Sequence, residues 1–353
     1  MIALSRFIAL VWWLLAPRRF RAAKDQRQTV LVLHQMLLGD GILLMPIFQS
    51  VPASSIITVA CPISLIGLYK AFYPNYRYIG FSERRPLSVI SMLLWGPYRE
   101  VICPFERRML RYARSCRPEL IRTYVKPEGR IGVRVIQGKP PIRPATVSDI
   151  VLGLFPRNME TTFQPLPQLV EPLAQRICLL HVDAKNPNRR WTPDHWLGLA
   201  HLLRQNNFSI VWCLGPDPSS HSIPIDLNLD ALFTPNDLVE YLGRIRRSAL
   251  VICPDTGIAH LAKLSMTPTV VIYGQGNPAL HGNGHYWSRA RTMNLYIDDI
   301  ECRDKDTAMG MKLDWLRRCD RSPLECSNPF CQNNIQPENV IKAIQSNFPE
   351  LFS

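Results

Sequence analysis

The 353-residue chain lacks several features that would each point to a particular class of protein. None of its 10 cysteines forms a C-x-x-C pair, so a zinc ribbon finds no support and reduced thiols are the expected state. The N-terminal apolar run FIALVWWLLA at 7–16 is too short to span a bilayer. Acidic residues are scarce: 28 Asp and Glu stand against 41 Lys and Arg, and the resulting net charge of +13 favours an acidic partner.

The basic residues are clustered. Arg107, Arg111 and Arg114 fall on one face of a helix predicted at 105–115. This stripe either binds phosphorylated lipid headgroups, of an acceptor or of the membrane, or is a solvated helix face. Nucleic acid is not an expected partner, because aromatic residues do not alternate with the basic ones and no nucleic-acid motif is present. Two further clusters are Arg18-Arg19-Phe20-Arg21 and Arg84-Arg85.

The first 24 residues favour an amphipathic segment that lies in the membrane interface. Two tryptophans, Trp12 and Trp13, precede the arginines at 18–21, and this combination suits a helix at the level of the headgroups. A secretory signal would carry a small-residue cleavage site where these arginines stand. We therefore expect a cytoplasmic protein, peripheral on the anionic inner face of the cytoplasmic membrane.

The remaining chain predicts an α/β protein with two domains. Apolar residues make up 47% and charged residues 20%, which is typical of globular domains. Strands alternate with helices in both halves, and the Pro-rich stretch 156–172 predicts a linker between domains at 25–155 and 173–353. The predicted strands are 29–34, 55–60, 100–103, 177–182, 208–214, 249–253 and 269–273; the predicted helices are 63–71, 87–94, 105–115, 194–205, 236–247, 258–265 and 337–347.

The segment from Leu250 to Gly276 contains the most informative motif. A β-branched run ends at Pro254-Asp255-Thr256-Gly257, and an apolar helix follows before the next strand. Ligands of open α/β sheets bind at the carboxyl ends of the strands. Gly257 allows close backbone approach, Thr256 can cap the helix, and the helix N–H groups attract an anion such as a phosphate. In the alternative interpretation, Asp255 only caps a helix.

A second carboxylate follows the first predicted strand. The loop Leu38-Gly39-Asp40 leads into an apolar helix expected at 42–49. A carboxylate positioned in such a turn can act as a general base toward a substrate hydroxyl. On its own, Asp40 could equally be the N-cap of the following helix.

The unit Asp255-Thr256-Gly257-Ile258-Ala259-His260-Leu261-Ala262 resembles the donor-site motif of the heptosyltransferase family of glycosyltransferases, and the Gly39-Asp40 turn is similar to that family's opening motif. The resemblance extends from Thr29 to Ile344. It implies a GT-B architecture, two facing Rossmann-like domains with the active site in the cleft between them. It also implies an inverting, metal-independent transfer of heptose from ADP-heptose to the lipopolysaccharide inner core, with no cofactor and with Asp40 as catalytic base.

The same resemblance assigns the donor site to the second domain. Thr256, Gly257 and Ile258 would present backbone groups to the phosphates, while Asp255 and His260 would contact the sugar or the diphosphate. Arg189 stands where the family has a Lys and would neutralise the leaving phosphates; Lys185 is a second candidate for that contact. The loop that begins at Gly274 would lie near the donor sugar.

Three alternatives remain. Val182-Asp183 replace the family's Pro-Gly pair, so a nucleotide sugar other than ADP-heptose is possible. The sequence Gly274-Gln275-Gly276-Asn277-Pro278-Ala279 fits the dinucleotide fingerprint and would suggest an NAD-dependent oxidoreductase. Against this, Pro278 and the glycines after it leave no room for the long helix that the fingerprint needs. The third is a basic scaffold at the membrane surface with no enzymatic activity.

Overall fold

The computed structural model describes residues 1–15, 28–127, 133–165, 176–214, 223 and 225–352. The chain forms two compact units. Unit 1 contains Met1–Ile142, Ser148–Thr161 and Thr307–Leu313; unit 2 contains Arg143–Val147, Thr162–Asp306 and Asp314–Ser353. Part of the linker predicted at 156–172, from 166 onward, lies outside the described residues.

Unit 1 is built on a six-stranded parallel sheet with strand order β3-β2-β1-β4-β5-β6. The central strand, TVLVL, is buried on both faces, which is why it is apolar without alternation. The strands are β1 Thr29–Leu33, β2 Ile56–Cys61, β3 Arg77–Gly80, β4 Glu100–Ile102, β5 Leu120–Thr123 and β6 Arg134–Gln137. A two-stranded antiparallel hairpin, β13 Thr307–Ala308 and β14 Met311–Lys312, also belongs to this unit.

The helices of this part of the chain are α1 Ile2–Leu15, α2 Leu38–Leu43, α3 Pro46–Ser50, α4 Ile63–Phe72, α5 Pro86–Leu94, α6 Arg107–Ser115 and α7 Val147–Leu152. The helix expected at 42–49 was wrong. Two short helices replace it, because Pro46 lacks an N–H and begins a new helix at its first position. The first of them, α2, begins at Leu38, so Asp40 lies inside its first turn and not in a loop before it.

Helix α1 packs against α5 and α6 and buries Ser5 and Ala9 completely. Its opposite face is also apolar: Phe7, Leu10 and Leu14 are 62%, 52% and 59% exposed. The arginines expected to flank this helix, at 18–21, lie outside the described residues. Among the helices that the structure describes, none is long and apolar enough to cross a bilayer.

Unit 2 repeats the architecture with a second six-stranded parallel sheet, in the order β12-β11-β10-β7-β8-β9. Its strands are β7 Ile177–His181, β8 Ser209–Cys213, β9 Ala231–Phe233, β10 Leu250–Pro254, β11 Thr269–Ile272 and β12 Thr292–Leu295. Its helices are α8 Pro193–Gln205, α9 Leu238–Arg246, α10 Gly257–Ser265, α11 Pro278–His281, α12 Phe330–Asn333 and α13 Pro337–Asn347.

The predicted α/β fold, with two parallel sheets covered by helices, is confirmed. The strands missing from the prediction lie toward the sheet edges, where burial is partial and the sequence carries charge. Arg77 begins β3 and Arg134 begins β6, and in both strands few side chains are buried. Such strands carry neither a continuous apolar run nor a clean alternation, so their sequence pattern is weak.

Candidate active site

The segment predicted to bind a phosphate lies at the carboxyl edge of the unit 2 sheet. Strand β10 pairs with β11 on one side and with β7 on the other. All three run parallel, so the loops that follow them emerge from the same edge, where open α/β sheets bind ligands. Asp255 and Thr256 directly follow β10, and Gly257 begins α10.

Thr256 is the N-cap residue of α10, as predicted, but it does not cap with its side chain. Its backbone is extended, with φ −135° and ψ 177°, and its hydroxyl makes no cap hydrogen bond. Thr256 Oγ1 is buried without a hydrogen-bond partner among the described residues. The first N–H groups of a helix also lack intrahelical acceptors. This end of α10 therefore offers both a hydroxyl and backbone donors to an anion.

Arg189 reaches this strand end from the loop after β7. Its Nη1 donates to the Asp255 carbonyl oxygen at 3.1 Å and lies 3.9 Å from Asp255 Oδ2. Arg189 Nε and Asp255 Oδ2 are both buried without a hydrogen-bond partner among the described residues. A buried, unsatisfied polar atom is unfavourable unless a ligand or water completes it, so both atoms indicate a binding position.

Lys185, the alternative cation, lies on the same loop but is exposed. Arg189, and not Lys185, is the residue for which contacts with Asp255 are seen. The backbone of Arg189 is held by a residue that sequence reasoning missed: Gln332 Nε2 in α12 donates to the Arg189 carbonyl oxygen at 2.7 Å. No local sequence signal could identify this bond, because its partners are 143 residues apart.

The loop after β11 completes the surroundings of Asp255. A Cβ atom at Gly276 would lie 1.8 Å from Asp255 Oδ2, so only glycine leaves room for this carboxylate. Gly274 is also constrained, since its Cβ would meet the Asn188 carbonyl oxygen at 3.1 Å and Gln332 Oε1 at 3.2 Å. Gln275 binds the β7 loop by accepting a hydrogen bond from Asn186 Nδ2 at 2.6 Å.

His260 lies in α10, one turn from Thr256, and is only 4% exposed. Burial, and then the nearby charge of Lys263, hold the pKa of His260 well below its usual value. The ring is therefore neutral at physiological pH. It can exchange hydrogen bonds with a ligand but cannot add positive charge beside a diphosphate. His260 Nδ1 has no hydrogen-bond partner among the residues described.

In unit 1, Asp40 is held by close packing beneath α2. A Cβ at the neighbouring Gly41 would lie 2.6 Å from Leu65 Cδ1 in α4. Tyr69 Oη donates to the Gly41 carbonyl oxygen at 2.7 Å and lies 3.3 Å from His34 Nε2. Burial lowers the pKa of His34 to about 3, so its ring is neutral. Asp40 itself is half-buried in the first turn of α2, where the helix dipole favours a carboxylate.

The predicted basic stripe lies on α6, where Arg107 and Arg111 are exposed and Arg114 is half-buried. These residues belong to unit 1, whereas the β10 loop and Arg189 belong to unit 2. The residues predicted from the sequence therefore belong to two different units. The predicted phosphate-binding residues lie in unit 2, whereas Asp40 and the arginine stripe lie in unit 1.

Two features bear on the alternatives. The dinucleotide fingerprint at Gly274 is followed by α11, which ends at His281, so the long helix that it requires is absent there. The chain also contains one Asp-x-Asp pair, Asp304-Lys305-Asp306, a pattern that could hold a divalent metal beside a phosphate. Asp304 forms an ion pair with Arg321 at 3.1 Å, and no group of three His, Cys, Asp or Glu in the described part of the chain could hold a metal ion.

Comparison with known proteins links these features to one family. Residues 144–312 match the family model of glycosyltransferase family 9 (heptosyltransferase). Over 106 residues, 28% of its length, the chain is 26% identical to the lipopolysaccharide core heptosyltransferase OpsX of Haemophilus influenzae. The match covers 30% of OpsX, so the chain spans less than a third of the length of this curated relative.

Two solved structures have a similar fold over nearly the whole chain. The glycosyl transferase family 9 protein of Veillonella parvula has a TM-score of 0.71 at 15% identity, with 92% of this chain and 98% of that one covered. The E. coli heptosyltransferase WaaC, solved with ADP-2-deoxy-2-fluoro heptose, has a TM-score of 0.66 at 13% identity, with 91% and 100% covered. At such identities the similarity concerns the fold.

The contact between Gly276 and Asp255 leads to a stability prediction. Gly276→Ala should lower the free energy of unfolding by about 1–3 kcal/mol, because its methyl group displaces a packed carboxylate. Gly243→Ala in α9 is the matched control, since the nearest atom to its Cβ is an arginine tip at 3.8 Å. Thermal unfolding followed by calorimetry compares the two; equal midpoints would contradict the close packing.

The buried neutral His34 leads to a pH prediction. Its pKa is lower in the folded than in the unfolded protein, so the unfolded state binds more protons between about pH 6.5 and 3. Stability should therefore fall as the pH drops through this window, with up to about 1.4 kcal/mol per pH unit from this group. The free energy of unfolding, measured by urea unfolding at several pH values from 7 to 4, should fall less steeply with decreasing pH in His34→Gln than in the exposed control His201→Gln. Identical slopes would refute the assignment.

Proposed function

From the match of residues 144–312 to glycosyltransferase family 9, we propose that the chain transfers heptose from ADP-heptose to the lipopolysaccharide inner core. The observation that carries this proposal is the incomplete polar site at the end of β10. Thr256 Oγ1, Asp255 Oδ2 and Arg189 Nε are all buried without hydrogen-bond partners among the described residues. A nucleoside diphosphate sugar offers both the phosphate oxygens and the hydroxyl groups that such a site needs.

In this proposal the donor binds unit 2. The N–H groups at Gly257 and Ile258 and the Thr256 hydroxyl bind the diphosphate, and the guanidinium of Arg189 neutralises it. A guanidinium carries N–H donors on three nitrogens, so Arg189 can bind a phosphate while Nη1 keeps its bond to the Asp255 carbonyl oxygen. The Asp255 carboxylate and the neutral His260 accept hydrogen bonds from sugar hydroxyls, with the Gly274 loop beside them.

The reaction is a single displacement. The acceptor hydroxyl transfers its proton to the Asp40 carboxylate as its oxygen forms a bond to the anomeric carbon. The bond from that carbon to the phosphate oxygen breaks, and ADP leaves with the electron pair. Attack opposite the leaving group inverts the anomeric centre. The positive charge of Arg189 stabilises the leaving diphosphate, a task for which other glycosyltransferases use a metal ion.

In this proposal the acceptor binds unit 1. Arg107, Arg111 and Arg114 on α6 supply positive charge for a phosphorylated acceptor or an anionic membrane surface, and α1 adds an exposed apolar face. We therefore propose peripheral association with the inner face of the cytoplasmic membrane.

A different nucleotide sugar is the second candidate. Arg190 Nη2 lies 3.4 Å from Asp183 Oδ1, and Asp183 is one of two residues that replace the family's Pro-Gly pair. This ion pair joins the two ends of the segment that carries Arg189, so the replacement lies beside the proposed donor site.

Turnover of nucleotide sugars tests the proposed function. With ADP-heptose and a truncated lipopolysaccharide acceptor, the purified protein should release ADP only when both substrates are present, and EDTA should not reduce the rate. Release of UDP or GDP from other donors would favour the second candidate. Loss of activity in EDTA, restored by a divalent cation, would contradict metal independence. Tight NADH binding without release from any sugar donor would favour the oxidoreductase.

The role of Asp40 leads to a separate prediction. Asp40→Asn should lower kcat by roughly 10²–10⁴-fold, because the amide cannot accept the acceptor's proton. Asp194→Asn is the matched control, since Asp194 lies in the first turn of α8 and is exposed. Retention of more than a tenth of the activity by Asp40→Asn would exclude it as the base, and full retention of the biological activity would favour a scaffold.

A further inference from the structure

A groove of about 1060 Å³ lies between α1 and α6 in unit 1, and its two walls differ in chemistry. The α1 wall is mainly apolar: it is formed by Phe7, Leu10 and Trp13, with Arg6 near its start. The α6 wall is cationic and is formed by Arg107, Arg111 and Arg114. Leu110, which is 7% exposed, also lines it. The groove is amphipathic across its width.

The apolar wall is a continuous exposed stripe. Phe7, Leu10 and Trp13 are three residues apart, so they follow one another along one face of α1. Phe7 and Leu10 are more than half exposed. Large exposed apolar patches are rare on soluble monomers and typically mark a binding surface. This stripe is the solvent face of a helix whose other face is already packed against α5 and α6.

The opposite wall is strongly basic. Four arginines of α6 line it, and Arg6 of α1 and Lys126 bring the basic side chains of the groove to six. Glu106 is the single carboxylate among the lining residues. Glu106 is already engaged: Oε1 lies 3.0 Å from Arg108 Nη2, and Oε2 accepts a hydrogen bond from the Gln35 N–H. The groove therefore keeps a large positive charge beside its apolar wall, which complements an anionic ligand.

Arg117, which follows α6, contacts Trp13 near the end of α1, and this contact keeps the two walls of the groove together. Arg117 follows α6 with φ +48°, in the left-handed region. Its guanidinium donates to the Trp13 carbonyl oxygen and lies 5.9 Å from the centre of the Trp13 ring. A hydrogen bond to a helix C-terminus and a cation–π contact both stabilise this arrangement.

We propose that this groove binds one anionic phospholipid of the membrane surface. The phosphate is bound by the arginines of α6 through charge-assisted hydrogen bonds, and an acyl chain lies along Phe7, Leu10 and Trp13. A free phosphate would leave the apolar wall uncovered, and a nucleic acid would not need it. The inference deepens the membrane part of the proposed function and does not depend on the donor site.

Calorimetric titration of the full chain, without sugar nucleotide, tests this proposal. The probes are soluble short-chain lipids below their micelle concentration: dihexanoylphosphatidylglycerol, dihexanoylphosphatidylcholine and inorganic phosphate. We expect one phosphatidylglycerol per chain, binding at least about tenfold tighter than phosphatidylcholine because only it keeps a net negative charge. Inorganic phosphate should show no saturable binding.

Two variants probe the two walls separately. Arg107→Gln/Arg111→Gln should weaken phosphatidylglycerol binding about tenfold or more, and Leu10→Ser should weaken the binding of both lipids. The control Lys70→Gln/Arg77→Gln removes two exposed charges of unit 1 that do not line the groove, and should change affinity less than about twofold. ADP binding, measured on every variant, separates a loss of the groove from a loss of the fold.

Four results would overturn the proposal. The first two are equal affinity for the two lipids and unchanged phosphatidylglycerol binding in the arginine variant. The others are binding of inorganic phosphate as tight as that of phosphatidylglycerol, and one-to-one displacement of the lipid by the lipopolysaccharide acceptor. Any of these with ADP binding intact would leave the transferase proposal standing. Absence of ADP binding with lipid binding intact would affect only that proposal.

Discussion

The proposed donor site depends on the placement of the Asp255 carboxylate, which is only possible because residue 276 has no side chain. Asp255 Oδ2 occupies the space in which a Cβ of Gly276 would stand. Arg189 approaches from the other side and donates to the Asp255 carbonyl oxygen, with its charge beside the carboxylate. Loops from three adjacent parallel strands therefore meet around one buried acid. Their polar atoms are not all satisfied within the described protein, and a ligand that completes them gains binding energy.

The two carboxylates that the proposal uses are held in different ways. Asp255 is buried and surrounded by loop atoms, which suits a fixed hydrogen-bonding role. Asp40 is half-buried on a short helix, and its position is set by Gly41 against α4 and by the Tyr69 hydroxyl beneath. The proposed role of Asp40, accepting a proton from an incoming acceptor, requires this accessibility. The neutral ring of His34 lies within hydrogen-bond distance of the Tyr69 hydroxyl and adds no positive charge there.

Much of the fold and of the donor motif could be predicted from sequence, because both depend on local patterns. The strands β1, β7 and β10 are buried apolar runs, and the turn after β10 contains the acid, the cap residue and the glycine in consecutive positions. The non-local contacts could not be predicted. The bond from Gln332 to Arg189 and the steric requirement at Gly276 join residues that no periodicity relates. The start of α2 was also misplaced, because Asp40 was read as a loop residue although the helix begins at Leu38.

The most direct test of the account is a crystal structure of the full chain with ADP bound. We expect the diphosphate at the start of α10, with its oxygens within hydrogen-bond distance of the Gly257 and Ile258 N–H groups, the Thr256 hydroxyl and the Arg189 guanidinium. A diphosphate bound to the Gly274–Gly276 loop, as in a dinucleotide site, or one that leaves Thr256 and Arg189 without contact, would contradict it.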